Sequence, residues 1–159
     1  MVGLLVAVNF GNAWAGEPDS DMEKESRLWI TTGFISYHPN RDANYNENNI
    51  GIGFEYHLDK VSSFALGHYK NSIRKDSTYI QYVYTPLALG SFRFGGAAGL
   101  VNGYPYLNKG DYAPVLMPVA TVVFKLFGRD AGVNAVYIPS LIPHVDSSFA
   151  LQFKFAIDN

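Results

Sequence analysis

The sequence predicts an all-β chain, an eight-stranded antiparallel transmembrane β-barrel of the outer membrane, and three observations predict it. After residue 27, bulky apolar residues alternate with small or polar ones at a period of two, almost to the end of the chain. Beyond the N-terminus there is no apolar run of the roughly 18 residues that a spanning helix needs. Yet 48% of the residues are hydrophobic, 15% aromatic and only 16% charged, against about 25% charged in an average soluble domain. Such a chain must either bury a large core or turn one face to lipid.

The elements follow in order. Residues 1–15 (MVGLLVAVNFGNAWA) form an apolar run ending in Ala13-Trp14-Ala15, just before the polar stretch GEPDSD. A small-x-small triplet there is the signal-peptidase pattern and predicts cleavage between Ala15 and Gly16. The other reading is an apolar strand or helix of the mature fold. Residues 16–27 are acidic and polar without an apolar stripe, a solvated lead-in. The barrel domain is expected over 28–159, with strands at 28–37, 50–58, 61–71, 78–86, 91–102, 113–126, 131–139 and 147–157. The last is the clearest: Phe149, Leu151, Phe153, Phe155 and Ile157 alternate with Ser148, Ala150, Gln152, Lys154 and Ala156.

A soluble sandwich would turn the bulky face inward, whereas a membrane barrel turns it to lipid and fills its lumen with small and polar groups. Strand lengths near the roughly 9–11 residues of a tilted spanning strand favour the barrel. So do aromatics near strand ends (Trp29, Tyr37, Tyr56, Tyr69, Tyr79, Tyr104, Tyr112), where interfacial girdles lie. Long polar connections at 40–49 and 102–112 contrast with short turns at 58–60 and 87–90, the outer-membrane pattern of one long-looped and one short-turned rim.

Pro114 and Pro118 fall inside one apolar strand, and Pro139 and Pro143 flank the end of the next. A proline removes a ladder hydrogen bond, and a closed barrel has no edge on which to place it. The spacing leaves two readings open: a gap between strands that admits a lipid chain, or strand ends and bulges. A net charge of −2 gives no electrostatic case for nucleic acid. With no cysteine there is neither a disulfide framework nor a thiolate metal site. His57 and His68 are expected in the lumen as hydrogen-bonding groups, and His144 in a loop. No cofactor and no metal are expected, and the barrel should be a monomer.

The segment Pro114-Val115-Leu116-Met117-Pro118-Val119-Ala120-Thr121-Val122, followed by Tyr137-Ile138-Pro139-Ser140, resembles the lipid A palmitoyltransferase (PagP) family. So do Tyr45-Asn46-Glu47 leading into Gly51-Ile52-Gly53-Phe54, Tyr69-Lys70-Asn71-Ser72, and Pro86-Leu87-Ala88, all in the family's order. The resemblance implies an enzyme that moves a palmitoyl chain from an outer-leaflet phospholipid to lipid A, the chain lying in an apolar upper bore reached beside prolines. Pro114, Pro118 and Pro139 would then mark lipid access, and Gly95, Ala97 and Gly99 could leave room for the chain, although the glycines could equally serve strand curvature. The chain departs from the family at the catalytic positions. The family's serine is kept as Ser72, but its aspartate neighbour is Asn71. The family's histidine position falls near Thr32–Gly33, and the nearest histidine is His38. A second Lys75-Asp76-Ser77 copies the family triplet but lies too close to Pro86.

Acyl transfer needs a base, a nucleophile or bound hydroxyl, and a donor to the oxyanion. His38 as base, Ser72 as nucleophile or oxyanion donor and Asn71 as amide donor are the candidate set. Two functions are carried forward: a lipid A acyltransferase, and a catalytically silent barrel that binds a lipid or alters the surface. A channel is a weaker third, because side chains largely fill an eight-stranded interior.

Overall fold

The computed structural model describes residues 27–140 and 145–158. The expected signal peptide, the lead-in up to residue 26, Pro143 and His144 lie outside these residues.

Eight strands follow one another: β1 Leu28–Tyr37, β2 Asn48–His57, β3 Ser62–Lys70, β4 Asp76–Leu89, β5 Phe92–Val101, β6 Ala113–Leu126, β7 Arg129–Ile138 and β8 Ser148–Ala156. Each pairs antiparallel with its neighbours in sequence, and β8 returns to β1 to close the barrel. Connections 38–47, 71–75 and 102–112 share one rim with the described ends of the β7–β8 connection (139–140 and 145–147), and the shorter 58–61, 90–91 and 127–128 share the other.

The orientation of the faces is the physical signature of the fold. Along β8 every second side chain is buried, with Phe149, Leu151, Phe153 and Phe155 outside and Gln152 and Lys154 inside. Ile50, Ile52, Phe54 and Tyr56 of β2 likewise face out, while Glu55 is buried. Thr31 and Asn134 join Glu55, Gln152 and Lys154 inside. An apolar exterior around a polar lumen is the reverse of a soluble sheet. Closure pairs the first strand with the last, so no strand has a whole edge of unpaired backbone groups, which hydrocarbon would penalise heavily.

Two bulges refine the alternation. In β1 the registers with both β2 and β8 shift around Gly33. A Cβ there would lie 2.0 Å from the Asn49 carbonyl oxygen, so the close approach needs glycine. Trp29 and Thr31 point inward before the bulge, and Ser36 and His38 are buried after it, so the inward set changes from odd to even numbers. In β4 the register with β5 shifts between Tyr84 and Leu87. Pro86 therefore interrupts no regular ladder, and β4 continues to Leu89 instead of ending at 86.

Several expectations are corrected. Trp29, Tyr69, Tyr79 and Tyr104 are not girdle residues, because they occupy inward positions and fill the lumen. Tyr37, Tyr56 and Tyr112 do face outward. His57 is in the lumen, 2.8 Å from Glu55, but His68 is exposed on the outer face, its Nδ1 3.1 Å from Thr78 Oγ1 across β3–β4. Gly95 and Gly99 press against the β4 backbone and serve its close approach, since a Cβ would lie 1.9 Å from the Tyr84 oxygen and 2.1 Å from the Ile80 oxygen.

Candidate functional site

Polar groups occupy the short-turn half of the lumen. Lys154 Nζ lies 2.7 Å from Glu55 Oε1 and 3.2 Å from His57 Nε2, with the Trp29 ring beneath it at 5.2 Å. Asn134 Nδ2 donates to Glu55 Oε2 (2.9 Å), and Ser63 Oγ donates to Glu55 Oε1 (3.1 Å). Above them, Gln152 Nε2 donates to Tyr79 OH and to the Thr32 carbonyl, each at 3.0 Å. These bonds leave the buried charges paired, as a low-dielectric interior requires.

Over this floor the long-loop half holds a cavity of about 410 Å³, within the range of roughly 300–1,000 Å³ usual for small-molecule sites. Phe34, Val101, Met117, Val136, Ile138 and Ala150 supply apolar wall. The 102–112 connection covers part of the top. It is pinched where Gly103 N–H donates to the Gly110 carbonyl (2.9 Å), and it sends Tyr104 inward to Tyr69, hydroxyl to hydroxyl at 2.9 Å.

The cavity meets an interruption in the barrel wall. β6 pairs with β5 from Ala113 onward, but its pairing with β7 starts only at Val119↔Val136. Residues 113–118 thus have ladder partners on one side alone. The cavity boundary runs out to Pro114 and Leu116, whose side chains face the exterior, and to Pro139 at the end of β7. Pro118 also faces outward and stands where the pairing with β7 begins. Here the geometry favours the gap over simple strand ends, because Pro114 and Pro118 both lie within a continuous β6.

Of the expected catalytic residues, His38 and Ser72 both line the cavity. They are not hydrogen-bonded to each other among the described residues. His38 is 5% exposed, and its Nδ1 is buried without a hydrogen-bond partner. Burial pushes its pKa below the ordinary histidine range, against the opposing pull of Glu47 and Asp146, while Arg41 lowers it further. Its ring lies 4.5 Å from that of Tyr45, whose hydroxyl donates to Asp146 Oδ2 at 2.9 Å.

Asn71 is placed elsewhere. It is fully buried, its Oδ1 accepting from the backbone N–H groups of Ile73 (3.1 Å) and Lys75 (2.9 Å). Its Nδ2 donates to Ser77 Oγ and to the Gly103 carbonyl, each at 2.9 Å. With both ends of the amide engaged, Asn71 fastens the 71–75 turn to the 102–112 connection and is no amide donor to a substrate. Ser77 is equally enclosed, donating to the Asn102 carbonyl at 2.7 Å, and Asp76 pairs with Lys70 at 3.1 Å. Asn71→Asp would exchange two donated bonds for a buried charge facing a carbonyl. A loss of at least about 2 kcal/mol is expected, read by denaturant titration of the folded barrel in lipid.

Sequence reasoning missed Glu47 and Asp146 as site residues. The first had a signal: a hairpin starting at His38 returns past it, as Ser36 N–H donating to the Glu47 carbonyl (2.9 Å) shows. Asp146 had none, since it arrives from the β7–β8 connection through closure of the barrel.

Fold and site together define a closed eight-stranded β-barrel with an apolar outer face and an internal apolar cavity, an architecture consistent with a membrane location. Among solved structures the chain is similar to a de novo designed transmembrane barrel, TMB2.3, determined by solution NMR. The two are 12% identical with a TM-score of 0.53, and the match covers 84% of this chain and 96% of that one. At that identity the likeness concerns the fold alone. No family model and no curated protein sequence matches the chain.

Proposed function

We propose that this chain is an outer-membrane acyltransferase of the PagP type, moving a fatty acyl chain from a phospholipid to lipid A. One observation carries the reading: a single apolar cavity has His38 and Ser72 on its lining and reaches the lipid side through the β6–β7 interruption at Pro114 and Pro139. In this reading the acyl tail enters sideways and lies over the polar floor, while its ester stays near the long-loop rim. His38 takes the proton of the acceptor hydroxyl as that oxygen bonds to the ester carbonyl carbon. The original ester bond then breaks, and the proton passes to the departing lysophospholipid oxygen. Ser72 donates to the oxyanion or relays the acyl group.

A silent lipid-binding barrel is the second reading, favoured by the missing His38–Ser72 hydrogen bond and by the engagement of Asn71 in its turn. Mass spectrometry of lipid A from cells with and without the chain separates the two. An added acyl chain that vanishes in Ser72→Ala and His38→Ala is the expected result. A lipid A profile unchanged by the wild-type chain would leave only the binding function.

A further inference from the structure

We propose that Glu47 is a positioning residue for His38, holding the imidazole so that Nδ1 carries the proton and Nε2 is left free as the base. The inference rests on the acyltransferase reading and assigns the carboxylate role that Asn71 cannot fill.

The geometry supplies the reason. Glu47 Oε1 accepts from the His38 backbone N–H at 3.0 Å and from Arg41 Nη1 at 2.6 Å. Those two bonds tether one carboxylate oxygen beside the imidazole, 3.9 Å from Nδ1. Nδ1 is also the atom left buried and unsatisfied. An orphaned buried ring nitrogen costs free energy that a small advance of the tethered carboxylate would recover, and catalytic hydrogen bonds commonly tighten only when substrate is bound. A carboxylate on Nδ1 fixes both the tautomer and the ring orientation, and it stabilises the imidazolium that forms on proton transfer.

The remaining faces of His38 are accounted for. Tyr45 covers the ring, Asp146 is held by Tyr45 OH and by Asn40 Nδ2 (2.8 Å), and Arg41 Nη1 also donates to the His38 carbonyl at 3.3 Å. Asp146 Oδ2 thus already accepts two hydrogen bonds, and Glu47 is the carboxylate that lies within 4 Å of Nδ1, at 3.9 Å. The hydrogen bonds from His38 N–H and Arg41 hold the Glu47 carboxyl below its usual pKa range, which favours the charged form.

The test uses the full barrel in phospholipid bicelles with Glu47→Gln and Glu47→Asp. Nitrogen-detected NMR of the His38 ring reads tautomer and midpoint without any turnover. In the wild type the Nδ1–H tautomer is expected, with a midpoint below that of an unhindered histidine. In Glu47→Gln the midpoint should fall further, because the nearer of the two carboxylates that favour imidazolium is gone and only Asp146 is left to oppose burial and Arg41. Turnover, where present, should fall at least about tenfold in kcat with KM little changed, the mark of an interaction made in the transition state. Its acid limb should move to lower pH, since the base form survives to lower pH. Glu47→Asp keeps the charge and should recover most of the midpoint, and it serves as the test if Glu47→Gln does not fold. An unmoved His38 midpoint and tautomer in the folded variant would overturn the role of Glu47. A wild-type chain without transferase activity would overturn the enzyme reading instead, and the NMR result would still decide the contact.

Discussion

Lys154→Ala is expected to destabilise the barrel by about 3–5 kcal/mol, the range found when one partner of a buried ion pair is removed. Lys154 is 1% exposed and Glu55 2%, so neither charge has water to fall back on. Without the ammonium, the Glu55 carboxylate keeps only Asn134, Ser63 and His57 around it, and the Trp29 ring loses the cation above it. The loss comes chiefly from the stranded charge and less from the missing contact. Glu55→Gln combined with Lys154→Met, which removes both charges and keeps most of the volume, should therefore recover much of it. Denaturant titrations in lipid vesicles of both single variants and the double variant measure the difference. A double variant as unstable as Lys154→Ala would mean that packing, not charge, dominates the floor.

The same cluster shows what the sequence could and could not reveal. The period of two was legible because the outer face is bulky and apolar along the alternating positions of the strands, as a face turned to lipid has to be. Hence all eight strands were found where expected, most bounds falling within two residues. The inner face obeys no such uniform rule. Glu55 and Lys154 are 99 residues apart and meet only through closure of β8 onto β1. Tyr69 and Tyr79 look like girdle residues by position and become lumen residues by parity, with Tyr79 OH hydrogen-bonded to Gln152.

The site was legible in part for a further reason. An uninterrupted alternation through β1 that buries Trp29 and Thr31 would place His38 on the outer face. The bulge at Gly33 reverses the parity and brings Phe34, Ser36 and His38 to the cavity. A lone glycine in a strand hints at a bulge, but not at which side chain it redirects. The prolines signalled an irregularity that the β6–β7 pairing shows, because a residue without an N–H has few places in a closed barrel, but their spacing left open whether it was a gap or a strand end.

Those prolines lead to the second large effect: if lipid enters as proposed, joining β6 to β7 above Val119 is expected to stop it. The ladder ends at Val119↔Val136, and its continuation would set Met117 opposite Ile138. Both side chains pack on the cluster of Val83, Ala97, Val119 and Val136, so they border the opening from the two sides. The chain has no cysteine, so Met117→Cys with Ile138→Cys creates the only two thiols. A short, cleavable bis-thiol linker between them should reduce uptake of a fluorescent phospholipid to background, and acyl transfer with it, and cleaving the linker should restore both. Val122→Cys with Val133→Cys is the control, since those residues are already paired in the ladder and linking them leaves the opening unchanged. Because uptake is read apart from chemistry, the result bears on the opening whether the bound lipid reacts or is only held. Undiminished uptake by the cross-linked barrel would mean that lipid enters by another route. The long-loop rim would then be the place to look, where Tyr104 and the pinched 102–112 connection cover the top of the cavity.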